Sequence, residues 1–205
     1  MVDELRPWAR GGRVNSPFAL PKGLLGRLAG RFMLVTNKQD EVAAALGVRP
    51  GDRVLELGYG PGGLIRLLAR TEAVHVLGVD PSPDMRDVAT SVNRRAVRAG
   101  RVDLRVGTAE DTGLAAESVD RAVSVNNVAL WPDLEAGIHE LHRVVRPGGT
   151  VLIAWHGGRA PSRIVRHLRL PDDKLDRIRT AIDSTFGNVA RHQLASVEVF
   201  SAERR

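Results

Sequence analysis

Through the middle of the chain, short unbroken apolar runs alternate with stretches in which apolar residues recur every three or four positions. The runs "RVLELG" (53–58), "HVLGVD" (75–80), "VDLRVG" (102–107), "SVDRAVSVNN" (118–127) and "TVLIAW" (150–155) have strand length. Between them, "GGLIRLLAR" (62–70) places Leu64, Leu67 and Leu68 on one helical face. "SPDMRDVATSVNRRAVRAG" (82–100) predicts one helix, with Ser82 as N-cap, Pro83 in its first turn and Gly100 past its end. "PDLEAGIHELHRVVR" (132–146) predicts another, with Leu134, Ile138, Leu141 and Val145 as its buried stripe, and "PGG" (147–149) turns into the fifth strand. Near-continuous apolar strands alternating with helices predict an α/β fold with a doubly wound, mostly parallel sheet. Beyond residue 155, "PDDKLDRIRTAIDSTFG" (171–187) reads as a helix, and "VARHQL" (189–194) and "SVEVFSA" (196–202) as an antiparallel C-terminal edge, giving seven strands.

Ahead of the sheet, Leu24, Leu25, Leu28 and Phe32 recur at helical spacing, and "NKQDEVAAALGV" (37–48) forms a second helix. One domain is expected over 1–205, with a helical arm (1–38), a core (39–155) and a C-terminal helix and edge (156–205). The arm admits three readings: ordinary core, a lid over an apolar ligand, or, least favoured, a basic amphipathic anchor on anionic membrane.

The first strand ends in "VLELGYGPGG" (54–63). Gly58, Gly60 and Gly63 satisfy G-x-G-x-x-G, the dinucleotide fingerprint. Glu56, Gly58, Gly60 and Gly62 also satisfy E-x-G-x-G-x-G. In an open parallel sheet, ligands bind beyond the carboxyl ends of the strands. Asp80 ends the neighbouring strand, where a carboxylate can accept hydrogen bonds from both hydroxyls of a ribose. A nucleoside is therefore expected, and the loop alone leaves its identity open. Glu56 argues against a pyrophosphate, which it would repel, and for S-adenosylmethionine, a sulfonium that also carries an ammonium group.

Composition narrows the chemistry. The chain has no cysteine, so disulfides, thiolate zinc sites and cysteine nucleophiles are excluded. No His/Asp/Glu cluster has metal-ligand spacing, so no metal is expected. No apolar run approaches the roughly 20 residues needed to span a bilayer, and the first residues lack the apolar core of a signal peptide; a cytoplasmic protein is expected. The net charge is +6, and it is carried by the ends: residues 1–38 hold 7 Lys and Arg against 2 acids, residues 156–205 hold 10 against 6, and residues 39–155 hold 13 against 16. Such ends can attract nucleic acid or anionic lipid, but the basic residues are spread rather than clustered.

Five segments in order, "VLELGYGPG", "VLGVDPSPDM", "VGTAEDTGL", "SVDRAVSVNNVALWPD" and "ELHRVVRPGGTVLI", resemble the class I S-adenosylmethionine-dependent methyltransferases. Within them the chain is similar to the type 11 branch, which includes enzymes of ubiquinone and menaquinone biosynthesis. The resemblance covers about residues 37–155 and implies a Rossmann-like methyltransferase fold. It implies that Gly58, Gly60 and Gly62 pass under the methionine part of the donor, with Glu56 ordering the loop or the ammonium group and Tyr59 flanking the ligand. Asp80 would bind the ribose, Pro81, Ser82 and Met85 would lie beside the adenosine, and Ala109 and Glu110 would frame the adenine. Asn126 would meet the methionine part through its backbone. S-adenosyl-L-homocysteine would be the product.

The aspartate-or-asparagine-Pro-Pro-aromatic motif of amino-group methyltransferases is replaced by "NNVALW" (126–131), which speaks against DNA as a partner. The expected acceptor is a small, apolar, lipid- or quinone-like molecule. Methyl transfer relies on positioning and needs a base only when the acceptor must lose a proton, so no catalytic residue is assigned. Trp131 is a candidate wall of the acceptor pocket, and His156 a candidate base or substrate contact. Alternatives are an RNA methyltransferase, disfavoured for want of a stacking motif, a cofactor-binding protein without activity, and an NAD(P)-dependent oxidoreductase.

Overall fold

A computed structural model describes residues 7–9, 39–161 and 166–205. Its sheet has the order β3-β2-β1-β4-β5-β7-β6. β1 (Arg53–Leu57), β2 (His75–Asp80), β3 (Val102–Val106), β4 (Val119–Val125) and β5 (Val145–His156) run parallel, while β7 (Val197–Glu203) lies antiparallel between β5 and β6 (Ala190–Gln193). The seven-stranded, mostly parallel sheet with its antiparallel edge agrees with the expected fold class. The arm residues Leu24, Leu25, Leu28 and Phe32 lie outside the described residues.

Pleating divides the strands between two cores. Leu55, Leu57, Leu77, Val79, Ala122, Val151 and Ile153 face α5 (Leu134–Val144) and α6 (Asp172–Phe186). Val54, Val76, Val123, Leu152 and Ala154 face the other layer: α1 (Asp40–Ala45), α2 (Gly63–Leu68) and α3 (Pro83–Val92). Because both faces are covered, these strands carry few polar residues, which is why they read as apolar runs.

Caps set the helix starts. Ser82 Oγ accepts from the Met85 N–H at 3.3 Å and Asp133 Oδ1 from the Ala136 N–H at 2.9 Å. The helix expected over 82–100 is two: α3 stops at Val92 and α4 spans Arg94–Arg98. Between them the Asn93 side-chain amide donates to Gly62 O at 3.0 Å and Ala89 O at 2.9 Å. β5 begins at Val145 rather than residue 150, because Val145 pairs with Val119 across an irregularity in the ladder before Arg121. No described helix is long and apolar enough to cross a membrane.

The amino-terminal edge of the sheet is tied by charge. Arg121, on β4, pairs with Asp52 and donates to Leu46 O at 2.9 Å and to the Thr150 hydroxyl at 3.1 Å. The side chains of Arg121 and Asp52 are 11% and 10% exposed, so loss of one partner strands a charge in the interior. Arg121→Leu is expected to lower the unfolding free energy by about 3 kcal/mol, read from urea denaturation followed by circular dichroism.

Candidate functional site

Strand order reverses between β1 and β4: β2 and β3 lie to one side, β5 to the other. The chain leaves β1 and β4 toward opposite faces, and a crevice opens at their carboxyl ends. The glycine loop follows β1 there. Gly58, Gly60 and Gly62 have φ of 79°, 50° and 80°, a region that side chains disfavour. Space is a second constraint at two of them. A Cβ on Gly58 would lie 2.2 Å from Asn127 Nδ2, and one on Gly62 would lie 2.7 Å from Asn93 Nδ2.

Those two asparagines clamp the loop, and sequence reasoning missed both. Asn127 Nδ2 donates to Leu57 O at 2.8 Å, while Asn127 Oδ1 accepts from the Ser124 hydroxyl at 2.8 Å and the Trp131 indole N–H at 2.7 Å. One side chain thus joins the ends of β1 and β4. A polar pair ending an apolar strand, "NN" at 126–127, is the signal that pointed here; only the register shows which asparagine bridges.

Asp80 is 7% exposed. Its Oδ2 accepts from the Gly60 N–H at 2.8 Å and its Oδ1 from the Ser82 N–H at 2.9 Å. Each carboxylate oxygen retains acceptor capacity. Burial raises the Asp80 pKa, and those two backbone bonds oppose the rise. Glu56, 1% exposed on the same face of the sheet, has its Oε2 without a hydrogen-bond partner. Burial first, then the charge of Asp80, push its pKa well above the usual carboxylate range; a bond from the Ile65 backbone opposes them. Two buried acids with unspent acceptor capacity favour a cation and a hydrogen-bond donor beside them.

Asn126 turns the chain out of β4 at φ 56°, its N–H donates to Ala154 O at 2.8 Å, and its buried Oδ1 lacks a partner. Across the crevice, Pro81 is exposed, whereas Ser82 and Met85 are buried. Ala109 is buried, and the half-buried Glu110 accepts the Asp133 N–H at 3.1 Å, joining the loop after β3 to the start of α5. Tyr59 and Trp131, the two expected ligand walls, are both buried. Tyr59 is 2% exposed, within the core formed by α2 and α3, and its hydroxyl donates to Arg105 O at 3.2 Å. Trp131 is 5% exposed, held by Asn127 and seated over Gly137, where a Cβ would come within 2.6 Å of the ring. Both aromatics belong to the cores that flank the sheet.

Trp8, unassigned from sequence, docks on the loop after β4. Its indole N–H donates to Val128 O at 2.7 Å, its backbone N–H to Trp131 O at 3.0 Å, and the Arg177 guanidinium stacks 4.9 Å from its ring centre. His156 ends β5, half-buried beside Trp155. Burial and then the charge of His167 push its pKa down to about 4, so its imidazole is neutral at pH 7.

A parallel α/β sheet with a glycine loop and a strand-end acid at its switch point defines a nucleoside-binding protein, and comparison with known proteins defines its family. A methyltransferase domain of type 11 matches residues 55–153. An uncharacterized methyltransferase of Bacillus subtilis, YdaC, is 38% identical over 129 residues, covering 62% of this chain and 69% of YdaC. An uncharacterized methyltransferase of Mycobacterium tuberculosis is 38% identical over 148 residues, covering 69% of this chain, which spans only 56% of that relative's length. Among solved structures, the Haemonchus contortus phosphoethanolamine N-methyltransferase 2 in complex with S-adenosyl-L-methionine superposes with a TM-score of 0.68 at 19% identity, over 87% of this chain and 56% of that one. The chain belongs to the type 11 family of class I methyltransferases, and its methyl donor is S-adenosyl-L-methionine.

Proton linkage gives His156 a measurable signature. Its unfolded imidazole titrates at its ordinary value of 6.5 and its folded one near 4, so between these values the unfolded chain binds the extra proton. The resulting stability is complete above about pH 6.5 and is lost as pH falls toward 4. His156→Gln is expected to lose less stability than the native chain between pH 7 and pH 5, measured by urea denaturation at each pH.

Proposed function

We propose that this methyltransferase, acting as one domain over residues 1–205, transfers the donor's methyl group to a small apolar acceptor of the quinone or lipid-phenol type. The observation that carries the acceptor's class is the segment after β4. It bears the apolar residues Val128, Ala129 and Leu130, where an amine-directed enzyme would place side chains to hold and deprotonate nitrogen.

The donor's sulfonium supplies an activated methyl group, so the chain's task is to bind, orient and exclude water. The orphaned Oε2 of Glu56 suits the ammonium group, directly or through the loop it underlies. The free acceptor positions of Asp80 suit the two ribose hydroxyls, with Pro81, Ser82 and Met85 beside the nucleoside. Ala109 and Glu110 lie where the loop after β3 can frame the adenine. Gly58, Gly60 and Gly62 would pass under the methionine part, with open space beside Gly60, and Asn126 would present its backbone to it. Tyr59 and Trp131 support these positions from the interior. His156, neutral at pH 7, stands at the end of β5, where it can contact the acceptor; its lowered pKa makes it a weak base for a hydroxyl proton, so contact is the better of its two expected roles.

Asp80→Ala removes a charged acceptor from a buried hydroxyl pair. Each such bond contributes roughly 1.5–3 kcal/mol, so S-adenosylhomocysteine affinity is expected to fall at least about tenfold by calorimetry while the far-ultraviolet dichroism is unchanged. Undiminished affinity in the folded variant contradicts the ribose assignment.

The acceptor class is tested by offering methyl-labelled donor with a reduced quinone, a lipid phenol or bulk RNA. Label is expected in the quinone or phenol. Label in RNA alone replaces this reading with RNA methylation.

A further inference from the structure

α2 and the α3–α4 corner enclose a groove of about 440 Å³ that the donor site does not use. Arg66 lines it from α2, Arg70 from the turn after α2, and Arg94 and Arg95 from α4. All four are exposed, and none has an ion pair or hydrogen bond with any described residue. No acid lines the groove; its other polar lining comes from Ser91 and the buried Asn93. Arg98, also exposed and unpaired, lies one turn beyond Arg94 on α4.

We infer that this groove is a second binding site, for a short chain of linked phosphates, either free or as the phosphate tail of a nucleotide. Four guanidiniums held around one concavity repel one another and gain nothing from the fold. A multivalent anion relieves that repulsion. Arginine's planar fork of donors matches phosphate oxygens in pairs and stays charged at any physiological pH. Arg66, on α2, and Arg70, in the turn that follows it, line the same groove as Arg94 and Arg95. The groove's volume falls in the range of small-molecule sites, roughly 300–1,000 Å³. No aromatic residue lines it, so nothing there stacks a base; recognition rests on the phosphates.

The site also reaches the donor loop. Asn93, part of the groove's lining, donates to Gly62 O, and α2 starts at the next residue, Gly63. An anion bridging Arg66 and Arg70 to Arg94 and Arg95 braces α2 against α4 and fixes the loop at the point where Asn93 holds it. Neither Glu56, Asp80 nor Asn126 lines the groove, so this site stands independently of the donor and acceptor assignments.

The test is calorimetric titration of the full chain with inorganic tripolyphosphate. One saturable site per chain is expected, weakened by added salt. The double variant R66Q/R94Q is expected to bind at least about tenfold more weakly, since two charge-assisted contacts are lost. Arg53→Gln, an exposed arginine at the start of β1, is expected to bind as the native chain does. Adenosine triphosphate binding at least about tenfold tighter than tripolyphosphate identifies a nucleotide as the source of the phosphates, and equal or weaker binding a free polyphosphate. The inference is overturned by the absence of saturable binding, by equal affinity in R66Q/R94Q shown folded by circular dichroism, or by a single-stranded oligonucleotide that binds where tripolyphosphate does not.

Discussion

A single carboxamide closes the crevice on which the site depends. Parallel strands diverge where the chain leaves them for opposite faces, and the ends of β1 and β4 would otherwise be joined only by their ladder. Asn127 spans that gap with its whole hydrogen-bonding capacity: its nitrogen donates to the end of β1, and its oxygen accepts from Ser124 and Trp131. The loop can approach this amide only because Gly58 has no side chain. The need for a glycine at 58 and the seating of Trp131, whose indole donates to the same amide, both go with that bridge.

The two ends of β1 show opposite solutions to buried charge. At the start, Asp52 meets Arg121 and is neutralised within the fold. At the finish, Glu56 has Asp80 as its charged neighbour, and its Oε2 goes unsatisfied. A fold does not gain stability by placing two acids together without a counter-charge. Such an arrangement fits a site whose balance is completed by a cationic ligand, and the family's sulfonium donor has that charge.

Strand centres were legible because burial on both faces leaves no ambiguity: β1 was expected over 53–58 and spans Arg53–Leu57. The glycines and strand-end acid were legible because few other structures need that combination in that order. What escaped were the features decided by long-range partners. The break at Asn93 is invisible in helical periodicity, since its cause is a carbonyl 31 residues away. "PGG" looked like a turn, yet Val145 already pairs with β4 ahead of it. The burial of Tyr59 and Trp131 was equally hidden, because the pleat at a strand end depends on a register that the chain does not spell out locally. Whether Asn126 or Asn127 bridges the strands has the same answer.

The insertion of β7 between β5 and β6 has a consequence for how the chain assembles. During synthesis, β1 to β5 emerge in an order that lets each strand find a neighbour already made. β5 then waits with one edge unpaired, and the strand that covers it comes from residues 197–203, some forty residues later. Through that interval Val151, Ile153 and Trp155 belong to an open, apolar ribbon, the kind of edge that recruits strands from other chains. Nascent chains stalled before residue 197 therefore carry the fold's greatest liability to aggregate, and the late hairpin acts as the seal on the sheet.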